Sequence, residues 1–215
     1  MKYPEFLTFT GADDKTSIGE MINLSNRFPI EWAILISKDR AGTSSYPSIP
    51  FIDTIRQFGP TLRLSLHVCG SYSKEIIETR RCKDIAKLID GFQRIQINHK
   101  PFTEISHVMD FARKNGVAPI VQCRGDDFPD DPRVTWLYDK SGGNGIIPDN
   151  FPSHTDTRLV GYAGGLGIDN IKTVCDNLNA SGPFWLDMQS KIRNDDDELD
   201  LNICEKICTK IYDRE

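Results

Sequence analysis

Eight short apolar or β-branched runs, each followed by a helix signature or a polar loop rather than a hairpin turn, predict an α/β fold: a single (β/α)8 TIM barrel spanning residues 1–215. No proline-, glycine- or serine-rich linker divides the chain, and its length suits one sizeable core. Strands that alternate with helices pair in parallel through right-handed crossovers, and eight such units favour a closed barrel over an open doubly wound sheet.

The candidate strands are Phe6–Thr10, Ile30–Ile36, Leu62–Val68, Arg94–Asn98, Pro119–Cys123, Val134–Tyr138, Leu159–Ala163 and Phe184–Met188. After the first, Ser17-Ile18-Gly19-Glu20 reads as a capping box opening a helix with Ile18, Met21, Ile22 and Leu24 on one side, ending near Phe28. The second connection, Ser48 to Phe58, offers a serine cap, an early Pro50, and Ile52, Ile55 and Phe58 at three-residue spacing. The third, Ser73 to Ile89, is long and charged.

Thr103 can cap the fourth helix, whose stripe is Ile105, Val108, Met109 and Ala112, and Gly116 sits where a left-handed C-terminal residue belongs. A seventh helix is expected over Ile168–Leu178. The eighth carries Leu199, Ile203, Ile207 and Ile211 four apart, behind an acidic start at Asp195–Glu198 that suits a helix N-terminus. Degenerate helices are expected after strands five and six. Asp126, Asp127, Pro129, Asp130, Asp131 and Pro132 are poor helix material, and residues 140–157, rich in glycine, proline and polar residues, read as a long active-site loop.

With 26 basic and 31 acidic residues, the net charge of −5 argues against a nucleic-acid or anionic-membrane surface, and a small-molecule ligand fits better. Met1-Lys2-Tyr3-Pro4-Glu5 leads straight into a strand-like run, and no apolar stretch approaches the roughly 20 residues of a membrane span, so a cytoplasmic protein is expected. The six cysteines form no Cys-x-x-Cys pair. Reduced thiols are expected, with Cys204 and Cys208 packing on one helix face, and no metal or cofactor. Oligomeric state is not legible in the sequence.

In such a barrel, function sits at the carboxyl ends of the strands. At the seventh, Gly161-Tyr162-Ala163-Gly164-Gly165-Leu166-Gly167 opens toward a helix; it reads as a cradle bringing backbone N–H groups to a phosphate, or as a plain glycine turn. Leu186-Asp187-Met188-Gln189-Ser190 supplies the neighbouring wall and favours the phosphate reading. Strand six ends in Trp136-Leu137-Tyr138-Asp139 ahead of Lys140-Ser141-Gly142-Gly143-Asn144-Gly145, where Asp139 is either a general acid or the cap of its own turn.

These three segments resemble the phosphoribosylanthranilate isomerase family. Leu137-Tyr138-Asp139 with Gly142-Gly143-Asn144-Gly145 stands for Leu-Leu-Asp and Gly-Gly-Thr-Gly, Ala163-Gly164-Gly165-Leu166 for Ala-Gly-Gly-Leu, and Asp187-Met188-Gln189-Ser190-Lys191 for Asp-Val-Ser-Ser-Gly. The match extends to Ser37-Lys38-Asp39-Arg40 after strand two and to Gln96-Ile97-Asn98-His99 after strand four. The resemblance implies a tryptophan-biosynthesis type of reaction, an Amadori rearrangement of a phosphoribosylated amine. Asp139 would be its acid, Arg40 and His99 substrate contacts, and Asp187 would lie near the ribose hydroxyls. Gly143, Gly164, Gly165, Leu166, Gln189 and Ser190 would hold the phosphate.

The family's basic cysteine at the end of strand one is Thr10 here, in Thr8-Phe9-Thr10-Gly11, and a threonine hydroxyl has no useful basicity near neutral pH unless activated. Cys69, before Gly70 at the end of strand three, is the substitute considered first, although a structural thiol is the plainer reading. His67 can point into the barrel or toward the helices, while His107 and His154 read as surface residues. Three functions stay open. They are an isomerase acting on a phosphorylated sugar amine; a barrel that keeps the anion pocket but binds a metabolite or protein partner; and another phosphosugar enzyme, an epimerase or lyase using Cys69 or His99.

Overall fold

The computed structural model describes residues 3–99 and 105–213. Its frame is a closed parallel barrel of eight strands in chain order: β1 Leu7–Thr10, β2 Ile30–Ile36, β3 Arg63–Val68, β4 Arg94–Ile97, β5 Ala118–Cys123, β6 Thr135–Tyr138, β7 Val160–Ala163 and β8 Phe184–Met188. Every expected strand is present with its ends within a residue. β8 closes on β1 through the register Leu7↔Leu186, Thr8↔Asp187 and Phe9↔Met188.

The helices are α1 Ile18–Ser25, α2 Ile49–Ile55, α3 Gly70–Thr79, α4 Lys83–Leu88, α5 Ile105–Lys114, α6 Ile171–Asn177 and α7 Leu201–Tyr212. The Ser17 hydroxyl accepts from the Glu20 amide as the capping box predicts, and Ser48 caps α2 in the same way ahead of a 3-10 turn at Arg56–Phe58. The long third connection divides into α3 and α4 where Arg80 turns left-handed at φ 62°. Gly116 has the expected positive φ, 69°. The Thr103 cap lies outside the described residues. As expected, neither the β5–β6 nor the β6–β7 connection contains a helix.

Two expectations are corrected. The run 194–198 is not a helix start. Arg193 pairs with Asp197, the Asn194 carboxamide accepts from the Asp196 and Glu198 amides, and α7 begins later, capped by Asp200 on the amides of Asn202 and Ile203. This loop has a structural use, because Arg193 also donates to the Gly11 carbonyl at 3.0 Å, tying the β8 connection to the end of β1. His154 is not a surface residue either. It is 2 % exposed, packed edge-on to Phe128, with its backbone bridging to Ala180.

Side chains alternate across each strand, and the two faces bury different chemistry. The helix-facing side is apolar, with Phe9, Trp32, Ile34, Leu64, Leu66, Ile95 and Val121 buried beneath the helices. Inside, the amino-terminal half is plugged by Phe6, Ile120, Leu137 and Trp185. Above the plug lies a charged layer. Glu31, fully buried, accepts both 3.0 and 3.1 Å bonds from Arg94 Nη1 and a 2.9 Å bond from the Thr8 hydroxyl, while the guanidinium rests 4.2 Å from the Trp185 ring centroid. The carboxyl-terminal half is polar and opens into the candidate site.

Candidate active site

The cleft at the carboxyl ends of the strands encloses about 560 Å³, part of it open to solvent. Asp139, Asp187, Thr10, Gly143, Gly164, Gly165, Leu166, Gln189 and Ser190 all line it, so three segments far apart in sequence are brought together as expected. Three other expected residues lie elsewhere. Arg40 is on the exposed loop after β2, its guanidinium 4.0 Å from the Tyr46 ring centroid. His99 lines a neighbouring depression with Gly70, Ser73 and Arg124. Cys69, at the N-cap of α3, does not line the cleft; burial pushes its thiol above the ordinary range, the opposite of what a reactive thiolate needs.

The glycine turn after β7 explains its own composition. Gly164 and Gly165 have φ of 112° and 60°, and a Cβ on either would meet the backbone of the β6–β7 loop, 2.9 Å from the Ile146 oxygen and 2.7 Å from the Ile147 nitrogen. Glycine is required both by conformation and by this close approach. The amides of Gly164, Gly165, Leu166, Gln189 and Ser190 donate to no acceptor among the described residues, leaving a set of N–H groups at the cleft wall. The turn does not open α6 directly, which corrects a further expectation. Asn170 donates to the Gly165 carbonyl and accepts from the Gly167 amide, holding a loop before the helix begins at Ile171.

The two carboxylates are held differently. Asp139 accepts from the Ser141 hydroxyl at 2.8 Å, the Gly142 amide at 3.0 Å and Gln122 Nε2 at 3.3 Å. It therefore does form the local turn that the sequence allowed as an alternative, while still lining the cleft. Asp187 accepts a 2.6 Å bond from the Thr10 hydroxyl. Burial raises its pKa to about 7; the Thr10 bond opposes the rise, and the Glu31 and Asp139 charges add to it. Near neutral pH, Asp187 is thus divided between acid and base forms, beside Thr10 at the end of β1.

Sequence reasoning left open or missed the residues on the β3–β5 side of the cleft. His67 points inward, with its Nε2 buried and unpartnered among the described residues, and is held neutral because burial and the Arg94 charge lower its pKa to about 3. Gln96, Asn98 and Gln122 complete this wall. The signal for them was period two: Ser65 and His67, Arg94, Gln96 and Asn98, and Gln122 place polar side chains on alternate positions of otherwise apolar strands. Among the described residues no three His, Cys, Asp or Glu side chains are grouped to hold a metal ion, and no helix is long and apolar enough to cross a membrane.

Fold and site together define a (β/α)8 barrel with a carboxylate pair and an amide-lined turn at its functional end. Among the solved structures it resembles are phosphoribosylanthranilate isomerases. The Thermotoga maritima enzyme, solved as monomers generated from a dimeric protein, has a TM-score of 0.64 at 12% identity over 98% of this chain and 100% of that one. The Pyrococcus furiosus enzyme gives 0.61 at 15% over 97% and 99%, and the Thermus thermophilus enzyme 0.60 at 13% over 95% and 96%. At such identity the likeness establishes the fold. No protein-family model and no curated protein matches the sequence.

Proposed function

We propose that the protein is an aldose–ketose isomerase acting on a phosphoribosylated amine, with Asp139 as acid and Asp187 as base. The carrying observation is the Asp187 carboxyl, buried beside Asp139 in one cleft and hydrogen-bonded by Thr10. Asp139 would give a proton to the furanose ring oxygen, opening the ring to an iminium. Asp187 would take the C2′ proton to leave an enolamine, which ketonises as C1′ is protonated. The 5′-phosphate would lie against the free amides of the β7 and β8 turns. No atom is gained or lost, so the residues of the cleft suffice without a co-reactant.

This reading gives Thr10 a task that needs no basicity: its hydroxyl orients the carboxylate that replaces the cysteine. The test is to condense ribose 5-phosphate in situ with a panel of amines, including anthranilate and anthranilamide, and to follow ketose formation. Wild type is expected to form ketose from at least one member, and Asp139→Asn to lose activity by roughly 10²–10⁴-fold. No ketose from any member, even at high protein concentration, would rule the isomerase out and leave a barrel that binds a phosphorylated metabolite.

A further inference from the structure

The wall of the cleft opposite the glycine turn carries a directed chain of hydrogen bonds that ends in an unpaired acceptor. Cys69 lies next to the His67 carbonyl, with its Sγ 3.8 Å from that oxygen, and Asn98 Nδ2 donates to the sulfur at 3.2 Å. The raised thiol is protonated; its sulfur accepts from Asn98 and from the Tyr46 hydroxyl, which leaves its own proton for the carbonyl. That fixes the Asn98 carboxamide with Oδ1 turned to Gln96, whose Nε2 donates to it at 2.8 Å. Gln96 is left with Oε1 free, and this oxygen is buried without a protein partner among the described residues.

His67 stands beside it, since His67 and Gln96 are paired in register on β3 and β4 and both line the cleft. Its Nε2 is the second buried atom without a partner. A buried acceptor left unpaired is costly, and a ligand that supplies the matching donor removes the cost. The required match is specific: an N–H for Gln96 Oε1 and, beside it, a group able to pair with the neutral imidazole. A primary carboxamide offers both. A carboxylate is acceptor-only, cannot donate to Gln96, and would enter a cleft whose charged lining residues, among those described, are Asp139 and Asp187.

We infer that the amine half of the substrate is a neutral, carboxamide-bearing group read by Gln96 and His67, with Cys69 and Asn98 as positioning residues that aim the Gln96 oxygen. The inference rests on the phosphoribosylamine reading, and its test separates the two.

The probes are the unreactive ribityl 5-phosphate conjugates made by reductive amination of ribose 5-phosphate with anthranilamide and with anthranilate, titrated by calorimetry alongside ribose 5-phosphate. The carboxamide conjugate is expected to bind at least about tenfold more tightly than the carboxylate one. Gln96→Met is expected to reduce that ratio to about two or less. Cys69→Ala, which frees Asn98 to rotate, is expected to lower the ratio in the same direction, whereas Cys69→Ser, which keeps a donor and an acceptor, retains it. Equal affinities, or a preference for the carboxylate, would overturn the inference while ribose 5-phosphate binding kept the phosphosugar reading. Binding of none of the three would overturn both.

Discussion

Replacing Asp187 with asparagine is expected to lower isomerase turnover about 10³-fold and, above pH 7, to make the fold more stable. The two effects have one cause. Asp187 is buried beside Thr10, Asp139 and Glu31, and its pKa lies near 7 rather than at the ordinary carboxyl value of 3.8. Between those values the folded protein binds a proton that the unfolded chain has released, so stability falls as pH rises through this window and is level above it. The accumulated loss is up to about 4 kcal/mol at neutral pH and above. Asparagine keeps the acceptor for Thr10 but carries no charge, so the variant should lack that slope. Urea denaturation at pH 5 and pH 8 measures it: the variant should gain stability over wild type mainly at pH 8. Equal gains at both pH values would show that Asp187 does not titrate in this range.

Glu31→Leu is expected to cost about 3–5 kcal/mol. The change leaves Arg94, 8 % exposed, without the carboxylate that receives its Nη1, and leaves the Thr8 hydroxyl without its acceptor. Nη2 of Arg94 is already without a protein partner among the described residues, so little remains to offset the buried charge. The double variant Glu31→Leu with Arg94→Met removes both charges and is expected to recover most of the loss, because the aromatic plug of Phe6 and Trp185 can pack against apolar side chains. Chemical denaturation of both variants decides it. A double variant as unstable as the single one would mean that packing around Arg94, rather than its unpaired charge, sets the cost.

The strands were legible because their helix-facing positions are continuously apolar, and eight such runs with helices between them admit few topologies. The three site segments were legible because glycine and aspartate stood at strand ends. What the sequence did not disclose was register. Glu31 and Arg94 lie 63 positions apart near the starts of two expected strands, and closure of the barrel brings them face to face inside it. The direction of His67 likewise depends on which face of β3 turns inward. Local side-chain chemistry accounts for the misplaced helix starts: Asn170 and Asp200 delay α6 and α7 by binding nearby backbone, an alternative to helix that periodicity alone does not weigh. Asp187 was expected to contact ribose. Its raised pKa comes from burial and from the charges of Glu31 on β2 and Asp139 after β6, which no short motif encodes.

The pH dependence of kcat/KM for the best amine conjugate tests the central claim most directly, since it asks whether a carboxylate at Asp187 is the base. The rate should rise with pH through about 7 in wild type, because only the ionised form accepts the C2′ proton. In Thr10→Val the rise should move to higher pH, because the hydroxyl that favours the ionised form is gone. A profile flat from pH 5 to 9, or one left unmoved by Thr10→Val and Asp187→Asn, would contradict the account.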